Sequence, residues 1–585
     1  MSDLYSKASL VMDPQLVDTG KVYSIKPENR RGDFTFTRSS AATRVNADGL
    51  VEKETQNFLL QSNSFDTTWL QTRINLTSGQ SGYDGGSNAW QLQSNDASTT
   101  YLEQSVAVSG VQTISLYAKV GTADYLAFYA SSGARAWFNL NSGSISSSSS
   151  NIDTQIENVG NGWYRCSMSY NASTTYVRIY VTDVDGNFTS AIGANIYIQD
   201  AQLEQGLVAR DVITTTTAAV EGGVTDNVPR LDYTDSSCPA LLLEPQRTNL
   251  VTSSEYTNGY IGTGSVQEFN AAISPEGVQN AVKIIADTST FQHNRFTTIS
   301  TTGAHSFSVF AKAAEYDFAQ LYGGGGSGSR FSVVANLTDG SIDTYDGITT
   351  DQIDIQDYGN GWYRIIVSNF TLSSTFVAIA PIKQSGLARD AGYDIDYVGD
   401  NVSGAYFYGL QCEAGSYATS YIPTYGSSVT RVGETCQVED KGALINSEQG
   451  TLYFEGIAID PSFANVISFS DGTNTNRICL TLPQNATNIN AFSSVGGSKI
   501  DNNILHDPSV NSKYAIVWNG NSFKVFVNGV KKVDNTMAGS FSANTLTDIR
   551  FDRGDGNLNF GGFCKSYLSI ASALTDQQAI DLTTI

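Results

Sequence analysis

The sequence predicts an all-β chain: tandem antiparallel β-sandwich (jelly-roll) domains, a short N-terminal anchor segment and one short C-terminal helix. Three observations predict it. Apolar and polar residues alternate with a period of two in segment after segment, as in Ile114, Leu116 and Ala118 against Ser115, Tyr117 and Lys119. A long block of sequence occurs twice. Turn chemistry is dense, with 53 glycines, only 11 prolines, and runs of Ser, Thr and Asn between the apolar stretches.

Taken in order, residues 1–56 read as an N-terminal attachment segment and contain the block Phe36-Thr37-Arg38-Ser39-Ser40-Ala41-Ala42-Thr43-Arg44. Residues 57–210 form the first sandwich, 211–248 a connector, 249–420 the second sandwich, 421–449 a second connector, and 450–585 a last sandwich of different type. The two central domains are copies of each other. Tyr117-Ala118-Lys119 returns as Phe310-Ala311-Lys312, and Asn139-Leu140-Asn141-Ser142-Gly143-Ser144-Ile145 as Asn336-Leu337-Thr338-Asp339-Gly340-Ser341-Ile342. Gly160-Asn161-Gly162-Trp163-Tyr164-Arg165 is identical to Gly359-Asn360-Gly361-Trp362-Tyr363-Arg364, and Gln202-Leu203-Glu204-Gln205-Gly206 answers Gln411-Cys412-Glu413-Ala414-Gly415. The offset widens along the chain, as insertions in loops would make it.

Within each copy the alternation marks strands with one buried face, and the Asn-Gly pair before Trp163 and Trp362 marks a tight hairpin turn. The connectors repeat as well: Thr-Arg returns at Ser428-Val429-Thr430-Arg431, and Cys238 to Glu244 reads as a short strand or hairpin. In the last domain, Lys513–Trp518, Phe523–Val527 and Val530–Val533, joined at Gly520 and at Asn528-Gly529, make a three-strand meander. Thr575-Asp576-Gln577-Gln578 is a capping box that opens a helix running through Leu582.

Composition removes several functions. The 585 residues carry 34 Lys plus Arg against 57 Asp plus Glu, a net charge of −23. Duplex DNA and anionic membranes are bound through Lys and Arg, so neither nucleic acid nor membrane insertion is expected. No segment reaches the ~18 consecutive apolar residues of a membrane helix. The first residues lack the features of a secretory signal, so synthesis in a cytoplasm and reduced thiols are expected. Six scattered cysteines without C-x-x-C give no zinc knot, and three histidines leave little material for a metal site or a general base.

The stretch from Gly450 to Ile585, with its meander and terminal helix, resembles a concanavalin-A-like or laminin-G-like jelly roll. The two copies resemble the jelly rolls of carbohydrate-binding modules. The wording of Phe36–Leu50, Cys238–Asn249 and Tyr417–Arg431 resembles segments of tailed-phage fibre and head-spike proteins. These resemblances imply a structural subunit on a virion surface, made in a bacterial host's cytoplasm, usually a homotrimer. They also imply docking to capsid or tail proteins through the N-terminal segment, and contact with host-surface glycans. A decoration fibre without a ligand, a bacterial adhesin and a polysaccharide depolymerase are the alternatives.

A sugar ring offers one apolar face and a rim of hydroxyls, so its site needs aromatic platforms beside planar hydrogen-bonding groups. The candidates are Trp69, Trp90, Trp137, Tyr125, Tyr129, Tyr256 and Tyr260. With 30 tyrosines in a β protein, the default role for an aromatic is packing, and Trp163 and Trp362, kept in both copies, read as structural. Asp183, Asp185 and Asn187 alternate oxygen donors in a loop, and Asp394 and Asp396 stand with Asp390 and Asp400 in the second copy. Either cluster reads as an acidic turn or as a structural calcium site; no other cofactor is expected. A glycosidase needs two carboxylates across a cleft; Glu455 has no evident partner and no Glu-x-Asp-x-x-Glu run is present. His293, His305 and His506 lack a nucleophile elbow to serve, so the chain reads as non-enzymatic. The two Arg-Gly-Asp triplets, at Arg31 and Arg553, read as polar turns, and Gly323–Gly326 lacks the Lys of a phosphate loop.

Overall fold

The computed structural model describes residues 2–234, 236–255, 259–325, 330–372, 376–390, 393–459, 465–485 and 487–585. Strands dominate, and the described α-helices are Ser2–Lys7 and Asp576–Thr583. The second of these has the expected cap: the Thr575 hydroxyl accepts from the Gln578 amide while the Gln578 side chain accepts from the Thr575 amide.

Each copy is a sandwich of two six-stranded antiparallel sheets with the same strand order. In the first copy one sheet runs Ser144–Ser148, Arg135–Asn139, Tyr125–Ala130, Thr174–Thr182, Tyr101–Val108, Leu70–Thr72. The facing sheet runs Ile152–Gly160, Trp163–Asn171, Val111–Val120, Asn195–Gln205, Ala89–Ser94, Ile74–Gln80. Equivalent strands keep the same register, Lys119 opposite Trp163 and Lys312 opposite Trp362. The hairpin turns match too: Asn161 and Gly162 have φ of 53° and 78°, Asn360 and Gly361 of 53° and 77°, the paired positive angles of a type I′ turn. Ile114, Leu116 and Ala118 fill the first core, and Phe307, Val309 and Ala311 the second.

One face of the central strand is less open than alternation implies. Thr113 and Ser115 are buried because the outgoing segment lies across them: Thr113 donates to the Gly206 carbonyl at 2.8 Å and Ser169 to that of Leu207 at 2.9 Å.

The N-terminal segment differs from expectation. Residues 1–56 are not a separate unit. Ala8–Asp18 pairs with Gly562–Ile570, with Ala8 opposite Ile570 and Met12 opposite Tyr567, and Phe34–Thr37 pairs with Thr435–Val438. The first connector also returns here, since Ala240–Leu243 pairs with both Arg230–Asp232 and Gly562–Ile570. Leu10, Met12, Val22, Phe34, Phe36, Leu241 and Leu243 share one core with Trp518 and Tyr567. The physical reason is that these apolar positions cannot stay in water while a sheet edge stands unpaired beside them. The chain therefore visits one central lobe three times, and each copied sandwich is a long excursion from it.

Both excursions close with the same clasp. Asn57 donates to the carbonyls of Ala201 and Ile213 and accepts from the amides of Leu59 and Leu203. Asn249 does the same with Leu410, Ile422, Val251 and Cys412. Ser62 and Thr215 exchange amide-to-hydroxyl hydrogen bonds, as do Ser254 and Thr424.

The central lobe also holds a buried ionic knot, to which the repeated Thr-Arg wording contributes Arg38 and Arg431. Glu434 accepts from Arg38 at 2.7 Å and from Arg230 at 2.7 and 2.5 Å. Glu244 accepts from Arg230 at 2.7 Å and pairs with Arg431 at 2.8 Å. All five side chains are at most 2% exposed.

Candidate functional site

The outer face of the first sandwich's Tyr125–Ala130 sheet brings three of the candidate aromatics, Tyr125, Tyr129 and Trp137, together. Leu126 and Phe128 point into the core, so Tyr125, Ala127 and Tyr129 point away from it. Cross-strand register then sets the neighbours: Ala127 opposite Trp137 and Tyr180, Tyr129 opposite Arg135 and Arg178, Tyr101 opposite Tyr180, Glu103 opposite Arg178.

Arg178 is the centre of this face. Its guanidinium carbon lies 4.3 Å from the Tyr101 ring centroid, 4.5 Å from Tyr176 and 6.0 Å from Tyr129. Its Nε donates to Glu103 at 2.6 Å and a terminal nitrogen to the Tyr180 hydroxyl at 3.3 Å. Burial pulls the guanidinium pKa down, but the bonds to Tyr180 and Glu103 outweigh it and the net direction is up. The charge is fixed, and the rings around it are held at a set spacing. Phe188, from the loop after Thr174–Thr182, lies 4.7 Å from Trp137 and 4.4 Å from Tyr180, and Trp137 Nε1 donates to the Asn187 carbonyl at 2.7 Å. Tyr101, Tyr125, Tyr129 and Tyr176 stay half-buried, and Arg135 is exposed at the edge.

In the second copy the equivalent face is sealed. The connector 383–403 is longer than its counterpart 183–194, and its residues 393–397 lie over the sheet. Gln320 donates to the Tyr393 carbonyl at 2.7 Å, Tyr322 to Asp394 at 2.7 Å, and Tyr397 to the Pro381 carbonyl at 2.6 Å. Tyr322 and Ile395 are buried in a satellite cluster there. In the first copy the shorter loop covers only part of the face: Phe188 packs on Trp137 and Tyr180, each 3% exposed, and Tyr101, Tyr125, Tyr129 and Tyr176 stay half-buried beside them.

The remaining candidates fall elsewhere. Trp69 is 3% exposed, its ring in the core and its Nε1 donating to the Gln61 carbonyl. Trp90 packs on the same core edge-on to Phe65, and Tyr260 is buried with its hydroxyl on the Ser253 carbonyl. None of these three rings presents a free platform: in a thin sandwich a large ring with one polar atom fills the core and bonds at its margin. Tyr256 lies outside the described residues. Trp163 and Trp362 are each 1% exposed.

The acidic side chains of the two clusters bond within the protein. Asp183 accepts from the Ala191 amide, Asp185 from Ser147, and Asn187 from the amides of Phe188 and Thr189, so their oxygens turn to separate partners. Asp394 is taken by Tyr322, while Asp396 is exposed. Among the described residues no three metal-ligating side chains come together. The histidines are engaged structurally: His293 against the Tyr397 carbonyl, His305 against Thr301, His506 against the buried Ser512.

Sequence reasoning missed Tyr101, Glu103, Tyr176, Arg178 and Phe188. The signal was present in Tyr176-x-Arg178-x-Tyr180, where aromatic and cationic residues alternate with the apolar Val177, Ile179 and Val181.

No known protein family matches the chain, and no curated protein does. Among solved structures it is similar to CBM40 of the Ruminococcus gnavus IT-sialidase, both alone and bound to α2,3- or α2,6-sialyllactose. The identity is 14–15% and the TM-score 0.21, over 23% of this chain and 83% of that one. At that score the likeness decides nothing about this chain.

Proposed function

We propose that the chain is a non-enzymatic glycan-binding protein and that the partly open aromatic face of its first sandwich holds the sugar. The observation that carries this is the contrast between the copies: the sheet sealed by 393–397 in the second is left, in the first, as half-buried tyrosines clamped around a neutralised arginine. Such a surface suits a pyranose, whose apolar face stacks on a ring while its hydroxyls meet Glu103, Asn139 and Arg135. A single site of this kind is weak, and the proposal includes a particle displaying many copies, where effective concentration supplies the avidity.

The setting we propose is the surface of a tailed-phage virion, on the wording of the connectors, with a homotrimeric assembly. Because residues 8–37 are woven into the central lobe, docking to capsid or tail is proposed for that lobe rather than for a free N-terminal arm. A glycan array probed with the full chain, followed by titration of the best hit, tests the binding. Tyr129→Ala and Tyr101→Ala should each weaken binding about tenfold, the loss of roughly 1.4 kcal/mol of ring contact. Tyr322→Phe, under the sealed face, should leave it unchanged. Undiminished binding by both alanine variants refutes the site, and release of reducing ends from a bound polysaccharide refutes the non-enzymatic reading.

A further inference from the structure

A second buried cluster joins the N-terminal segment to both copied sandwiches and takes no part in the proposed binding face. Lys53 Nζ lies 2.6 Å from Glu255 Oε1 and 2.5 Å from Glu276 Oε1, with all three side chains at most 4% exposed. Glu276 Oε2 is held by Arg210 at 2.6 Å. Three phenols converge on the same oxygen of Glu255: Tyr408 at 3.1 Å, Tyr421 at 3.2 Å and Tyr425 at 3.4 Å. Tyr408 also donates to Glu276, and the Lys53 ammonium stands 5.2 Å from the Tyr425 ring centroid. Glu255 Oε2 is buried with no hydrogen-bond partner among the described residues.

That asymmetry is expensive for an ordinary ion pair, because a buried carboxylate oxygen without a donor forfeits its hydration for nothing. Glu204 Oε2 is left in the same state, so what singles out Glu255 is the Lys53 ammonium 2.6 Å from its carboxylate. We propose that Lys53 and Glu255 condense to an intramolecular amide after folding. Glu276, held ionised by Lys53 and Arg210, takes a proton from the Lys53 ammonium and passes it to Glu255 Oε2. The freed amine attacks Cδ of Glu255, and the charge that develops on Oε1 is met by the hydroxyls of Tyr421 and Tyr425, donors already in place. The Cδ–Oε2 bond breaks as the nitrogen gives up its second proton, and Oε2 leaves as water. One ammonium and one carboxylate become one amide and one water, with no change of oxidation state and no co-reactant. Two charges vanish from a dry site, which favours the neutral product there. Glu276 is not the acyl donor, since both of its oxygens are occupied.

Intact-mass spectrometry of the denatured full-length chain tests this directly. The expected mass is one water below that of the sequence, with a branched proteolytic peptide joining Lys53 to Glu255. Lys53→Met and Glu276→Gln should each return the full mass. The unmodified mass for the wild-type chain overturns the proposal. So does a lost water located at any other residue, including a link from Lys53 to Glu276, or a Glu276→Gln chain that still carries the branch.

Discussion

Replacing Glu434 by alanine isolates the ionic knot. The carboxylate receives one hydrogen bond from Arg38, two from Arg230 and one from the Glu244 amide at 2.8 Å. Its removal leaves Arg38, Arg230 and Arg431 buried around the single remaining charge of Glu244. Breaking a buried pair by deleting one partner costs about 3–5 kcal/mol, and the excess of cations places this case near 4. A chain with several lobes does not unfold in one step, so the quantity to measure is local. Hydrogen exchange read by mass spectrometry gives opening free energies segment by segment. Protection in Phe34–Val45, Arg230–Glu244 and Val429–Val438 should fall by about three decades, the equivalent of 4 kcal/mol. Val111–Val120 and Gly303–Ala313 should keep theirs, because each sandwich has its own core. Glu434→Gln should show a smaller loss, since it still accepts hydrogen bonds. A change under tenfold in the three segments, or an equal loss in the sandwich cores, would refute the assignment of the knot as the tie between lobes.

Four further outcomes follow from the same structure. Leu10 is fully buried, so Leu10→Ala should destabilise the central lobe by about 3 kcal/mol in a denaturant titration; a neutral effect would show the N-terminal strand to be dispensable. Burial works to raise the pKa of Glu244, but Arg431 and Arg230 overcome it and the net direction is strongly down. The stability that Glu244 supplies is therefore complete above the ordinary carboxylate value near 4.3 and drains away as pH falls below it. Glu54 behaves oppositely: burial, then Glu221 and Asp226, push it up to about 7, so its support for the fold fades as pH rises from about 4.5 through 7. Glu54→Gln should raise the melting temperature at pH 8 and barely move it at pH 5. Finally, Cys238 is exposed while the other five thiols are buried, which pushes Cys166, Cys412, Cys436, Cys479 and Cys564 upward in pKa. A maleimide should label one cysteine in the native chain and six after denaturation.

What could be read from the sequence was local. Ile114-x-Leu116-x-Ala118 declares a strand, Asn-Gly before Trp163 and Trp362 declares a hairpin, and Thr575 with Gln578 declares a helix start, because each is decided within a few residues. The duplication was legible for the same reason. The weaving of the central lobe was not, since the pairing of Ala8 with Ile570 or Thr37 with Thr435 depends on partners almost a chain length away. Tyr125 and Tyr129 of the proposed face were named from the sequence, yet the buried Trp69, Trp137 and Tyr260 were named with them. An aromatic in a strand looks the same whether it faces core or solvent until its register is known, and only the outward neighbours Arg178 and Glu103 distinguish the partly open sheet. Alternating oxygens in the acidic loops say nothing by themselves of where each oxygen turns, and in the structure Asp183, Asp185 and Asn187 turn to separate partners.

The twin asparagine clasps carry a consequence for how freely each copy can change. Both ends of each copied sandwich leave the central lobe side by side, fixed by Asn57 with Ser62 and Thr215 in one case and by Asn249 with Ser254 and Thr424 in the other. Everything between the jaws enters and leaves at one place, yet the two excursions are not independent, because Arg210 of the first holds Glu276 of the second and Val111 and Leu207 pack on Phe269 and Tyr425. The covered sheet of the second copy and the partly covered sheet of the first then stand as two settings of one repeated part.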